Sequence, residues 1–240
     1  MRDRLAGLPP PRLWAAALII AAGHSAHVLS RGATLAPDSE AYAHWSARLI
    51  ESGFDYPTLL AEASPTFPPI LYALFASLLA FLRLAFGGEW MNALVAVNFA
   101  AHVALGLLLV KLAVRVTGSG LAGWSALLLF LACFDLLMWV PLVLSDATFV
   151  FLAFAIFALA AGRILDSSRS WLPVLVPAAA GIFYRPTGMV LIPDLAWAIF
   201  LSKRGIEKVS RGAVLAILAA AVLAGTLAFA WFMQDPGRWP

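Results

Sequence analysis

The feature that most limits how this chain can fold is the recurrence of long apolar runs that almost nothing interrupts. Residues 91–116 carry charge only at Lys111 and Arg115, and comparable runs occupy 13–29, 70–86, 121–140, 147–165, 171–184, 187–201 and 213–233. A helix needs about 20 such residues to cross a ~30 Å hydrocarbon core. The runs are continuous rather than alternating, which argues against a transmembrane β-barrel. Only 12% of the 240 residues are charged, about half the share of a soluble domain. The expected class is therefore all-α: a polytopic helical membrane protein forming one transmembrane domain over residues 1–240. Cys133 is the single cysteine and lies inside an apolar run, so neither a disulfide framework nor a cysteine metal site is expected.

Topology follows from where the basic residues sit. Arg2, Arg4 and Arg12 precede the first run, and Lys111 with Arg115, Arg163 with Arg169, and Lys203, Arg204, Lys208 and Arg211 flank later ones. Positive flanks mark cytoplasmic ends. They explain the net charge of +3 without nucleic acid as a partner. The amino-terminal run has no convincing small-residue cleavage site, so it reads as an uncleaved first span with a cytoplasmic start. Keeping all four basic groups on one side requires one run before Lys111 not to cross. The proline-led run 70–86, which carries Arg83, is the expected exception: a re-entrant or surface helix on the outer side. About seven crossings result, the carboxyl terminus lies outside, and residues 30–90 form a large first external loop.

That loop holds the polar stretch of an otherwise apolar chain: Pro37-Asp38-Ser39-Glu40-Ala41-Tyr42-Ala43-His44-Trp45, with Glu51 further on. Asp38 stands where a helix N-cap belongs and Gly53 where a helix stops. Ala41, Trp45 and Leu49 share one helical face, and Asp38, Tyr42 and Trp45 follow i, i+4, i+7 spacing. The stretch reads as a short amphipathic helix on the membrane. The proposed topology puts Asp38, Glu40, Glu51, Asp55, Glu62, Glu89 and Asp146 on the outer face, together with Arg185 in a turn between two short apolar helices. An arginine in such a place costs a few kcal/mol unless paired or hydrated, and its fork suits a phosphate oxygen pair. The competing readings are ordinary ones. Asp38 can be only a cap, Asp146 with Ser145 can cap the span it begins, Arg83 can snorkel, and Arg185 can pair with a structural carboxylate. His44 reads as interfacial and His102 as a satisfied helix–helix contact. His24 and His27 can line the site from the end of the first span. Asp135 and Asp194 are polar residues inside apolar runs, and Asp194 can pair with Lys203 or Arg204.

Four motifs, in this order, resemble the GT-C superfamily of polytopic glycosyltransferases, in particular its protein O-mannosyltransferase and aminoarabinose transferase group. They are Pro37-Asp38-Ser39-Glu40-x-Tyr42 after the first span; Phe67-Pro68-Pro69-Ile70-Leu71-Tyr72; Leu144-Ser145-Asp146-Ala147-Thr148-Phe149; and Tyr184-Arg185-Pro186-Thr187-Gly188. The resemblance covers the seven-span module with two juxtamembrane helices in the first external loop. It implies transfer of a sugar from a polyprenyl-phosphate carrier to an acceptor at the outer face of a bacterial inner membrane. Matched by motif, Asp38 and Asp146 become the candidate catalytic carboxylates, and Arg185 the candidate phosphate ligand. Tyr42, Glu40, His44 and Arg83 complete the candidate substrate-binding set. Oxygen ligands at Asp38 and Asp146 suit a Mg or Mn ion, although no clustered ligand spacing demands one. Relatives in that family usually continue with further spans or a periplasmic domain. The alternative expectation is accordingly a non-catalytic membrane subunit, or lipid-linked-sugar carrier, that works with a second subunit.

Overall fold

A computed structural model describes residues 11–57, 72–165, 171–185, 187–188 and 191–203. Among these every regular element is helical. They are α1 (Pro11–Arg31), α2 (Ser39–Glu51), α3 (Ala73–Phe86), a 3-10 turn (Gly87–Glu89), α4 (Trp90–Thr117), α5 (Gly120–Ala132), α6 (Phe134–Met138), α7 (Asp146–Leu165), α8 (Leu172–Tyr184) and α9 (Leu191–Lys203). The run 213–233 and the motif residues 67–71 lie outside the described residues.

Among the described residues two stretches are long and apolar enough to cross a membrane: Ala73–Thr117, which comprises α3, the turn and α4, and Asp146–Ile164 within α7. With 28 residues at about 1.5 Å each, α4 alone spans roughly 42 Å. Only 22% of the most apolar window of α7 is buried inside the protein. Leu18, Ile19, Phe81, Leu107, Leu121, Leu129 and Leu172 are likewise more than half exposed. An apolar surface of that extent fits hydrocarbon better than water.

The helices pack around α4, which touches α3, α5 and α7, while α8 and α9 lie on α7 and α1 lies on α5. One core decides where the polar residues go. Tyr42, Phe75, Leu79, Leu82, Trp90, Leu94, Val143 and Tyr184 form a single buried cluster. In it α2, α3, the start of α4, the loop before α7 and the end of α8 meet. Helix α3 has 14 residues, roughly 21 Å of helix, and packs its Phe75–Leu79–Leu82 face inward. Full burial of each such side chain from water is worth about 1.5–3 kcal/mol.

Two sequence expectations change. The run 121–140 is not one helix: α5 ends at Ala132, Cys133 leaves helical geometry at φ −80° and ψ 76°, and α6 is a five-residue piece. Pro141 stands four residues beyond Leu137, where its ring would clash with that carbonyl if the helix ran on. Second, the buried face of α2 is Ser39, Tyr42, Ser46 and Leu49, so Ala41 and Trp45 flank the contact and Asp38 stands exposed beside it. Asp194 lies in the first turn of α9 and is exposed; Lys203 is at the other end of that helix, and Arg204, its other expected partner, lies outside the described residues. The expected break between α8 and α9 is present. Arg185 takes extended backbone at φ −159° and ψ 140°, as the residue before a proline is pushed to do.

Candidate functional site

The site is assembled by stitching two loops that are far apart in sequence. Thr34 N–H donates to the Pro141 carbonyl at 2.8 Å, and Val143 N–H donates to the Thr34 carbonyl at 3.0 Å. Ser39, fully buried, adds a third stitch: its hydroxyl donates to the Val143 carbonyl at 3.0 Å and accepts from Ala36 N–H at 2.8 Å. These bonds fix the start of α2 against the loop that leads into α7. Asn98, buried in α4, supports that loop from beneath. Its amide donates to the Val140 and Leu142 carbonyls at 3.3 and 3.2 Å, and its oxygen accepts from the Thr148 hydroxyl at 2.6 Å. Pro141 lies in the middle of the loop, where backbone groups find no helical partners, so a side-chain amide satisfies them.

Onto this frame the Arg185 turn brings its guanidinium. Arg185 forms an ion pair with Asp146, the first residue of α7, and a longer contact of 3.5 Å to the Ser145 hydroxyl. Asp146 is buried and Arg185 about three-quarters so. The turn can come this close because of Gly188: a Cβ there would run into the Gly181 backbone of α8. Ser145, fully buried, bonds the Tyr42 hydroxyl, and Tyr42 bonds Tyr72. The two phenol rings are 5.3 Å apart, and Tyr42 meets Phe75 edge-on at 5.0 Å. A line of hydrogen-bonding groups thus runs from Arg185 through Ser145 and Tyr42 to Tyr72, in range of the charge on Asp38. Burial pushes the Tyr42 phenol far above its usual value. The Tyr72 phenol is raised chiefly by burial, against the influence of its bond with Tyr42. Both remain neutral hydroxyl donors at any physiological pH.

Asp38 is the residue whose ordinary role is absent. It precedes α2 at the cap position, yet its side chain makes no capping bond and its backbone is helical, at φ −74° and ψ −14°. Ser39 does the local anchoring instead. The Asp38 carboxylate is left exposed, in range of Tyr72 and Asp146 through its charge.

The geometry divides the sequence candidates. Tyr42, Asp146 and Arg185 come together, with Asp38 at the edge of the same cluster. Glu40 and His44 lie on the exposed side of α2, and His44 rests against Trp45 with ring centroids 5.7 Å apart. Arg83 lies over the Trp90 ring at 4.3 Å, a cation–π contact on the last turn of α3. His24 turns to His102 of α4, and His27 to Phe134. His102 is not a satisfied contact: its Nε2 is buried without a hydrogen-bond partner.

Sequence reasoning missed Asn98 and did not single out Ser39 or Thr148. Asn98 had a legible signal, being a strong hydrogen-bonding group in an apolar run. Among the described residues no three His, Cys, Asp or Glu side chains converge as metal ligands. The Asp146 oxygen that would face a cation is already held by Arg185. Neither a protein-family model, nor a curated protein, nor a solved structure matches the chain.

Proposed function

We propose that the chain is a membrane glycosyltransferase that takes a sugar from a polyprenyl-phosphate donor and delivers it to an acceptor hydroxyl on the outer face of the membrane. The observation that carries this reading is the meeting of Arg185, Asp146, Ser145 and Tyr42 beside Asp38. An anion-binding cation and a candidate base, drawn from three separate motifs, stand around one spot. The reading includes seven spans with cytoplasmic basic flanks, an external carboxyl terminus and a bacterial inner-membrane setting. In it α2 and α3 are the juxtamembrane helices of the first external loop.

In the resting state Asp146 is the counterion of Arg185. The donor phosphate competes for the guanidinium, and Ser145 and Tyr42 supply neutral donors to the remaining oxygens. The Asp38 carboxylate accepts the proton of the acceptor hydroxyl. That oxygen forms a bond to the anomeric carbon as the bond from the same carbon to the phosphate oxygen breaks. Polyprenyl phosphate leaves with the electron pair, next to Arg185. A divalent ion between Asp38 and Asp146 does not fit this arrangement, because Arg185 holds Asp146 and no third ligand converges among the described residues. No step is routed through a metal.

The test is reconstitution in liposomes with a panel of polyprenyl-phosphate sugars and a hydroxyl acceptor. Asp38→Asn is expected to lower turnover by about 10²–10⁴-fold, the usual contribution of a general base, with folding and donor binding retained. Full turnover in that variant removes Asp38 from catalysis. A second reading, a non-catalytic subunit or lipid-linked-sugar carrier, is favoured by one observation: the Asp146–Arg185 pair is closed on itself. Stoichiometric capture of a second membrane subunit supports that reading, and sugar transfer by the purified chain excludes it.

A further inference from the structure

A second polar feature lies away from the cluster around Arg185. Between α1, α4 and α5 there is a cavity of about 290 Å³, close to the lower end of the ~300–1,000 Å³ typical of ligand pockets. Its walls are almost wholly apolar. The exceptions include two imidazoles, His24 of α1 and His102 of α4, with ring centroids 6.0 Å apart. Both are more than nine-tenths buried, at 7% and 6% exposure. Each carries a nitrogen with no hydrogen-bond partner, Nδ1 of His24 and Nε2 of His102. A buried polar atom left unmatched costs about 1–3 kcal/mol, and two of them at one cavity is not how a folded core is ordinarily arranged.

The surroundings hold the rings in place. Phe130 of α5 packs on the His102 ring, with centroids 4.6 Å apart. It can lie there because residue 106 is glycine: a Cβ at Gly106 would stand 2.8 Å from the Phe130 ring. Trp14 and Trp124 meet edge to face at 4.0 Å and close one end. The rim includes Leu18, Val103 and Leu107, which are 66%, 45% and 64% exposed, so the opening is a hydrocarbon surface rather than a polar loop.

We infer that this cavity binds a membrane-dissolved amphiphile with a single neutral hydroxyl head, a long-chain or isoprenoid alcohol. A neutral imidazole offers one donor and one acceptor nitrogen. A hydroxyl both donates and accepts, and so can satisfy one nitrogen from each ring. The apolar walls take the hydrocarbon tail. A phosphate head is a poor match, because among the described residues no arginine or lysine lines the cavity and an uncompensated charge there is costly. A metal is a poor match as well, since no third His, Cys, Asp or Glu joins the pair among the described residues. The inference does not depend on glycosyl transfer, and it separates this cavity from the phosphate-facing cluster around Arg185.

The experiment uses the full chain in nanodiscs and a diazirine-bearing isoprenoid alcohol, with the monophosphate ester of the same alcohol as the comparison probe. The alcohol is expected to label peptides of α1, α4 and α5, and to outcompete its phosphate there. His24→Phe and His102→Phe should each weaken labelling by about tenfold, the scale of one lost buried hydrogen bond. Leu107→Trp, which leaves both imidazoles intact, should block access. A thermal-shift titration with unlabelled alcohol guards against misfolded variants, because only a protein that binds it gains stability. Equal labelling by the phosphate, or undiminished labelling and thermal shift in the folded double His→Phe variant, overturns the proposal.

Discussion

Two buried polar groupings in this chain solve the same problem in opposite ways. Around Arg185 most polar groups of the cluster are answered: the guanidinium by Asp146 and Ser145, Tyr42 by Ser145 and Tyr72, and the Val140 and Leu142 carbonyls by Asn98, with the Tyr184 hydroxyl the buried exception. Between α1 and α4, His24 and His102 face one another with a nitrogen unmatched on each. The first grouping is tied into the backbone of two loops and one turn, so its groups cannot be removed singly without leaving others exposed to a poor medium. The second projects from two helices: His24 also reaches the Leu131 backbone of α5, whereas His102 can be deleted without orphaning another group. A matched network supports structure, whereas an unmatched pair is a standing cost that a ligand can relieve.

The largest expected effect comes from breaking the matched network at its charge. Arg185→Met leaves Asp146 buried without its cation, which should destabilise the fold by about 3–5 kcal/mol. Adding Asp146→Leu should recover most of that loss while leaving transfer activity absent. Thermal unfolding of the single and double variants reads this directly. No recovery in the double variant would show that the pair is not the source of the cost.

Next in size is Asn98→Leu. It removes the donor to two carbonyls and the acceptor for Thr148, and should cost about 1–3 kcal/mol. Loss of the support is also expected to loosen the loop 139–145, seen as faster amide exchange of Val143 and Leu144. Unchanged exchange would mean that the stitches from Thr34 and Ser39 suffice by themselves.

How much of this was legible in the sequence depends on which physical signal each element carries. The polar α2, the break at Arg185-Pro186 and the long apolar α4 could be read directly, because periodicity, proline sterics and hydropathy act locally. The break at Cys133 was hidden in an apolar run. The loop that follows the short α6 is held by Asn98, whose amide meets carbonyls forty-two and forty-four positions away in sequence. The candidate site was legible as residue types, with Asp38, Asp146 and Arg185 standing out against hydrocarbon. Its wiring was not. A cap position predicted a capping bond for Asp38, but Ser39 took the anchoring role through a contact with Val143, 104 residues distant. The pairing of His24 with His102 was invisible for the same reason: only packing decides which turn of α4 faces α1.

A smaller effect is expected at Tyr42, and it depends on pH. Burial raises its phenol well above the value in an unfolded chain, which is about 10. The sign follows from linkage. Below pH ~10 both states keep the proton and stability does not depend on it. Above that the unfolded phenol ionises while the folded one resists, so stability falls by up to about 1.4 kcal/mol per pH unit. Tyr42→Phe should therefore cost about 1 kcal/mol at neutral pH through the lost hydrogen bonds, and should flatten the alkaline fall in melting temperature. An equally steep alkaline fall in the variant would assign the effect to other groups.

The smallest expected effect is the one that tests the comparison most sharply, because its sign should reverse. His102→Phe deletes a nitrogen that has no partner, keeps an aromatic ring against Phe130, and leaves no group newly unmatched. In the absence of added lipid it should be neutral or stabilise the chain by up to about 1 kcal/mol, since an unmatched buried group is replaced by an apolar one of similar shape. A loss as large as that of Asn98→Leu would mean that His102 is matched in the membrane by something permanent. The division between a network that holds the fold and a pair that awaits a ligand would then collapse.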